Sequence, residues 1–95
     1  MTIEWLISEE WGRVGVHVFR GQVFVHCEVK RWSPALKRAA LVHWGQFKAM
    51  MRERGFDRVF SAVPAGDTKV RKWQVLFGQR QLLDLGKHVI YSQEL

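Results

Sequence analysis

From Arg13 to Lys30 apolar and polar side chains alternate with a period of two, with Val14, Val16, Val18, Val23, Val25, Cys27 and Val29 in one phase. That period marks half-buried strands. Arg20-Gly21 separates the two runs, and a tight turn there pairs residues whose numbers sum to 41, which places all the valines and Cys27 on one face. Arg-Gly is not the favoured dipeptide for such a turn, so a longer loop with shifted pairing is the alternative. The opposite face carries His17, Phe19, Phe24, His26 and Glu28, with Arg13 across from Glu28.

The period then changes. Ser33-Pro34 starts a helix, because a serine oxygen accepts from a free backbone N–H and proline loses nothing at the first helical position. Leu36, Ala40, Trp44, Phe47 and Met51 recur at three- and four-residue steps, with Lys37, Lys48 and Arg52 to one side of the stripe. The spacing predicts a helix to Arg54, ended by Gly55. Arg58 to Val63 reads as a third strand, stopped by Pro64-Ala65-Gly66. Asp67 caps a second helix that turns Val70, Trp73 and Phe77 inward and ends at Gly78. Residues 88–91 give a final strand, and Ile3 to Ile7 an additional one at the beginning. The order strand, hairpin, long helix, strand, helix, strand predicts an α/β fold, an α+β mixed sheet with helices packed on it, as one domain over residues 1–95.

Composition narrows the setting. With 95 residues, 47% of them hydrophobic, five Trp and six Phe, the chain holds one core and no second domain. The single Cys27 closes no intramolecular bridge, which fits a reducing compartment. No apolar run reaches the roughly 18–20 residues of a membrane span, and Glu4, Glu9 and Glu10 stand where a secretion signal is basic. A soluble, cytoplasmic protein without membrane contact is expected. Fifteen Lys and Arg against nine acids give a formal charge of +6, which attracts polyanions and acidic protein surfaces alike.

The stretch from Val29 to Tyr91 resembles the carboxy-terminal two thirds of the GNAT superfamily of N-acetyltransferases. Arg54-Gly55-Phe56-Asp57-Arg58-Val59 looks like the family's link from its central helix into the next strand, and Phe77-Gly78 like the glycine ending the following helix. Small proteins of this type are similar to ones encoded by tailed bacteriophages, which implies a host cytoplasm or a virion. The family's Arg/Gln-x-x-Gly-x-Gly loop receives the pyrophosphate of acetyl-CoA at the helix amino end. Here that stretch is Lys30-Arg31-Trp32-Ser33-Pro34-Ala35-Leu36-Lys37-Arg38, without glycine. Gln74 occupies the position of the family's general-acid tyrosine and Asp67 lies near that of its asparagine. Tyr91 and His88 are the substitutes weighed for the acid.

These departures lead to the expectation of a catalytically silent GNAT-like protein, with no catalytic residue and no cofactor, that binds a protein partner through Trp32, Arg31, Lys37, Lys48 and Arg52. As a phage-type protein it would be a virion-associated component or an inhibitor of a host factor. The first alternative is an atypical N-acyltransferase in which Lys30, Arg31, Lys37 and Arg38 bind acetyl-CoA with their side chains. The second is nucleic-acid binding along the cationic helix face. Oligomeric state stays open, with a homodimer among the options. Trp44 and Trp73 belong to the core, while Trp5, Trp11 or Trp32, if exposed, becomes an interface hot spot. His17, His26 and Glu28 share ligand chemistry with a metal site, but histidines alternating with Phe serve more often in packing. Cys27 sits on the buried face, where a thiol is inert.

Overall fold

The structure, a computed structural model, describes residues 2–95. Along the chain run β1 (Glu4–Glu9), β2 (Gly12–Phe19), β3 (Gln22–Val29), α1 (Pro34–Glu53), β4 (Arg58–Pro64), α2 (Thr68–Leu76), β5 (Arg80–Asp84) and β6 (His88–Glu94). The hairpin register is the expected one: Val14 faces Cys27, Val16 faces Val25, Val18 faces Val23 and Arg13 faces Glu28. Arg20 and Gly21 both take positive φ, 51° and 77°, as a two-residue turn matched to the strand twist requires. The turn thus forms despite an arginine in a conformation that side chains resist. At the other end of β2, a Cβ on Gly12 would overlap the Glu28 carbonyl oxygen, so β2 and β3 close there only around a glycine.

The strands form one mixed sheet in the order β1-β2-β3-β4-β6-β5. Only β3 and β4 run parallel, joined by α1 as a crossover. The α+β mixed sheet expected from the pattern is therefore present, with β5 as an element the pattern does not announce. Arg80-Gln81-Leu82-Leu83-Asp84 lacks alternation because a bulge between Gln81 and Leu83 interrupts its pairing with β6.

Both helices cover one face. Val14, Val16, Val23, Val25 and Val59 of the sheet pack with Ala40, Trp44, Phe47 and Met51 of α1 and with Trp73 and Phe77. Ser33 caps α1 through its side chain and Asp67 caps α2. Val18, placed on the same face by the alternation, lies beyond the helices and is 56% exposed. Trp11, whose exposure the pattern leaves open, is buried at 1% exposure and is therefore no surface hot spot. Its indole Nε1 donates to His43 Nδ1 at 3.0 Å and its ring stacks on Trp73 at 5.6 Å. A lone Trp in a turn gives no periodicity, so its burial is invisible in the pattern.

Replacing Arg20 by Asn, which tolerates the left-handed region, is expected to stabilise the hairpin by up to about 1 kcal/mol, read as a shifted denaturant midpoint with unchanged slope.

Candidate functional site

The chain leaving β3 is pinned before it enters α1. The backbone N–H groups of Lys30 and Arg31 both donate to the Trp11 carbonyl, at 2.7 and 3.2 Å. Trp32 follows, half exposed, packed edge-on against Trp73 with the ring centroids 4.6 Å apart. Ser33 Oγ accepts from Leu36 N at 3.1 Å and Ser33 O from Lys37 N at 2.9 Å. Pro34 has no N–H, so among the first three helical positions only Ala35 keeps a free donor. The helix start is thus nearly saturated by the chain itself, as the Ser33-Pro34 pair leads one to expect.

Beside it, Trp32, Lys37, Lys69, Lys72, Trp73 and Leu76 line a surface pocket of about 500 Å³ between α1 and α2. Its floor is aromatic and aliphatic, and its rim carries three ammonium groups. Among the described residues no carboxylate pairs with any of these lysines. On the other side of Trp32 a shallower hollow of about 510 Å³ runs along Glu10, Arg31, Ser33, Ala35 and Leu36, where Arg31 Nη1 meets Glu10 Oε1 at 2.9 Å. An indole flanked by cations on an apolar floor suits a ligand that is both anionic and partly apolar.

The residues singled out from sequence therefore divide. Trp32 and Lys37 meet in the pocket, and Arg31 borders Trp32 but is held by Glu10. Lys30 and Arg38 line neither hollow. Lys48 and Arg52 lie about 16 and 22 Å further along α1 than Lys37, and Arg52 donates to the Leu95 carbonyl at 2.9 Å. They do not belong to the Trp32 site. Lys69 and Lys72 were missed because their relation to Trp32 is tertiary, although the run Lys69, Arg71, Lys72 is visible in sequence.

A second feature lies in the sheet. The parallel strands β3 and β4 share only the pairs Val23–Val59 and Phe24–Phe60, after which they splay. Val25, His26, Cys27 and Glu28 on one side and Ala62, Val63 and Pro64 on the other bound a wedge of about 170 Å³, closed behind by Asp67, Val70 and Gln74. Gln74 is 2% exposed and its Oε1 has no partner. An unsatisfied buried amide acceptor facing a cleft is a group waiting for a donor. Asp67 is engaged as a cap, with Oδ1 accepting from Val70 N at 3.1 Å. Tyr91 accepts from Arg71 Nε at 3.1 Å, and neither it nor His88 lines the wedge.

On the face without helices, His17 Nδ1 and His26 Nε2 meet at 2.6 Å, and His17 stacks on Phe24 at 5.2 Å. Glu28 is turned away into a two-point pair with Arg13, at 2.7 and 3.0 Å, so the two imidazoles and the carboxylate do not converge. Among the described residues no group of three or more His, Cys, Asp or Glu is placed to hold a metal ion. Trp5 lies half-buried beneath the Arg13 guanidinium, 3.7 Å from its ring centroid. No helix among the described residues is long and apolar enough to cross a membrane.

No protein-family model, no curated protein and no solved structure matches the chain.

Two titrations follow from this geometry. Burial, and secondarily His17, lowers the His26 pKa from the ordinary imidazole value. The folded chain then binds fewer protons than the unfolded chain as pH drops below about 6.5, so stability is retained above that pH and declines toward the depressed folded pKa. The thermal midpoint is expected to fall between about pH 7 and 5, and less so in His26→Gln. Burial pushes the Cys27 thiol up to about 12. Its alkylation by iodoacetamide at about pH 8 is expected to run on the order of a thousandfold slower than that of free cysteine.

Proposed function

We propose that this chain is a GNAT-like module that performs no acyl transfer and acts by binding an acidic, aromatic-bearing protein segment in the pocket lined by Trp32 and Trp73 and rimmed by Lys37, Lys69 and Lys72. The observation that carries this reading is the pocket itself, an apolar floor under three lysines without carboxylate partners. The aromatic rings contribute contact area at low entropic cost, and the lysines supply charge steering. The GNAT-like part rests on the Arg54–Val59 junction, where Gly55 takes φ of 91° after α1, and on Gly78, at φ of 87°, after α2. The saturated start of α1 speaks against a diphosphate cradle of backbone donors at that point. A reducing cytoplasm, or a virion assembled there if the chain is phage-encoded, suits the half-buried free thiol of Cys27.

A second reading, an acetyl-CoA-dependent N-acyltransferase, draws support from the wedge beside β3 and the unpartnered Gln74 amide. In that reading Lys37, with Lys69 and Lys72, would replace the missing backbone donors.

Titration calorimetry separates the two. A random copolymer of glutamate and tyrosine is expected to bind, polyglutamate at least about tenfold more weakly, and Trp32→Ala to lose about tenfold while Arg52→Ala stays unchanged. Acetyl-CoA is expected to show no binding tighter than about 1 mM. A micromolar dissociation constant for the coenzyme, lost in Lys37→Ala, would establish the second reading instead.

A further inference from the structure

Three rings line up on the face without helices. His17 pairs across the hairpin with Phe24, Phe24 across the parallel joint with Phe60, Phe60 with Ser92, and Ser92 with Arg80. Directly paired residues point to the same side of a sheet, so the rings, a hydroxyl and a guanidinium form one row across five strands. His17 stacks on Phe24 at 5.2 Å and Phe24 meets Phe60 at 5.8 Å, with successive planes tilted by 13° and 34°. Each ring remains partly exposed.

Cations close both ends of the row. At one end Arg58, Gly78, Arg80, Ser92, Gln93 and Glu94 line a hollow of about 360 Å³. Arg58 Nη1 donates to the buried Ser92 hydroxyl at 3.1 Å and Nη2 to Glu94 at 2.9 Å, while Arg80 has no carboxylate partner among the described residues. Ser92 Oγ keeps a proton of its own to donate. At the other end the Arg20 guanidinium lies 5.2 Å from the centroid of Phe19, an exposed ring two residues beyond His17 on the same side of β2. Of the carboxylates on this face, Glu28 is held by Arg13 and Glu94 by Arg58. Four arginines against two carboxylates repel a second copy and attract a polyanion. Near-parallel, partly exposed rings accept nucleobases, and only unpaired ones, because bases stacked inside a duplex offer no free face. We propose that this face binds single-stranded nucleic acid, with bases stacked along the Phe24 and Phe60 rings and a phosphate in the hollow between Arg58 and Arg80. The hollow starts at Ser92, one strand from Phe60 and about 4.8 Å across the sheet, within a nucleotide's reach from base to phosphate. No residue of the row lines the Trp32 pocket, so this binding stands or falls apart from the proposed partner binding.

Fluorescence anisotropy with a labelled strand of about 12 uridines is expected to show micromolar binding at about 50 mM salt. Two further probes test the base contact on the unaltered protein. A duplex of the same length and an abasic strand of the same charge are each expected to bind at least about tenfold more weakly. Phe60→Leu is expected to weaken binding about tenfold, whereas Phe60→Tyr keeps it, with circular dichroism checking that both fold. Should Phe60→Leu fail to fold, the abasic strand decides. Arg80→Ala is expected to flatten the slope of log affinity against log salt by about 0.7, the share of one phosphate. Arg38→Ala combined with Lys48→Ala, on the helix side, is expected to leave affinity and slope unchanged. Equal affinity for the abasic strand or the duplex, equal loss in Phe60→Leu and Phe60→Tyr, or a salt slope set by the helix-side pair instead of Arg80 would overturn the proposal. So would no binding tighter than about 1 mM, or a dimer in sedimentation velocity that Phe60→Glu abolishes.

Discussion

The indole of Trp73 ties together parts of the chain that are distant in sequence. It stacks on Trp11 at 5.6 Å, meets Phe77 at 5.2 Å and carries Trp32 edge-on at 4.6 Å. Phe77 in turn stacks on Trp44 at 4.9 Å, and Trp44 on Phe47 at the same spacing. This continuous aromatic row joins the turn after β1, both helices and the segment leading into α1. Its polar edges are matched: Trp11 donates to His43, while Gln93 accepts from Trp44 Nε1 and donates to the Phe77 carbonyl, each at 3.0 Å. Buried aromatic rings with satisfied N–H groups stabilise and orient at once. The Trp32 pocket exists because the row surfaces at one end.

That location couples binding to the core. Trp73 is both a buried core residue and a wall of the pocket, so the floor is preorganised rather than assembled around a ligand. The lysines, by contrast, stand on α1 and on the first half of α2, where each long side chain keeps its freedom in water. Rigid apolar contact and adaptable charge are thereby supplied by separate residues. The capped start of α1 reinforces this division, because with only the Ala35 N–H left free there the attraction for anions falls mainly to side chains.

Much of the architecture is legible in the chain. The alternation from Arg13 to Lys30 specifies register as well as strand, since a one-residue slip would bring the valines to water. Ser33-Pro34, Gly55, Asp67 and Gly78 mark helix boundaries to within a residue or two, because caps are local chemistry. β5 escapes because its bulge and full exposure leave no period to read. The burial of Trp11 and Gln74 escapes for another reason, namely that partners some thirty or more positions away, or a strand gap, decide it. Of the candidate site, Trp32 and Lys37 were readable from an aromatic beside cations at a helix mouth. Lys69 and Lys72 were not, since nothing local says that α2 folds back over that mouth.

The sparse joint between β3 and β4 divides the sheet into two leaves of three strands, each paired antiparallel throughout, stitched by only two residue pairs. Side chains of α1 clasp both leaves and form the spine of the book. A change in the angle between the leaves therefore strains aromatic packing along the spine long before it severs a ladder, and the aperture beside Gln74 widens or narrows with that angle.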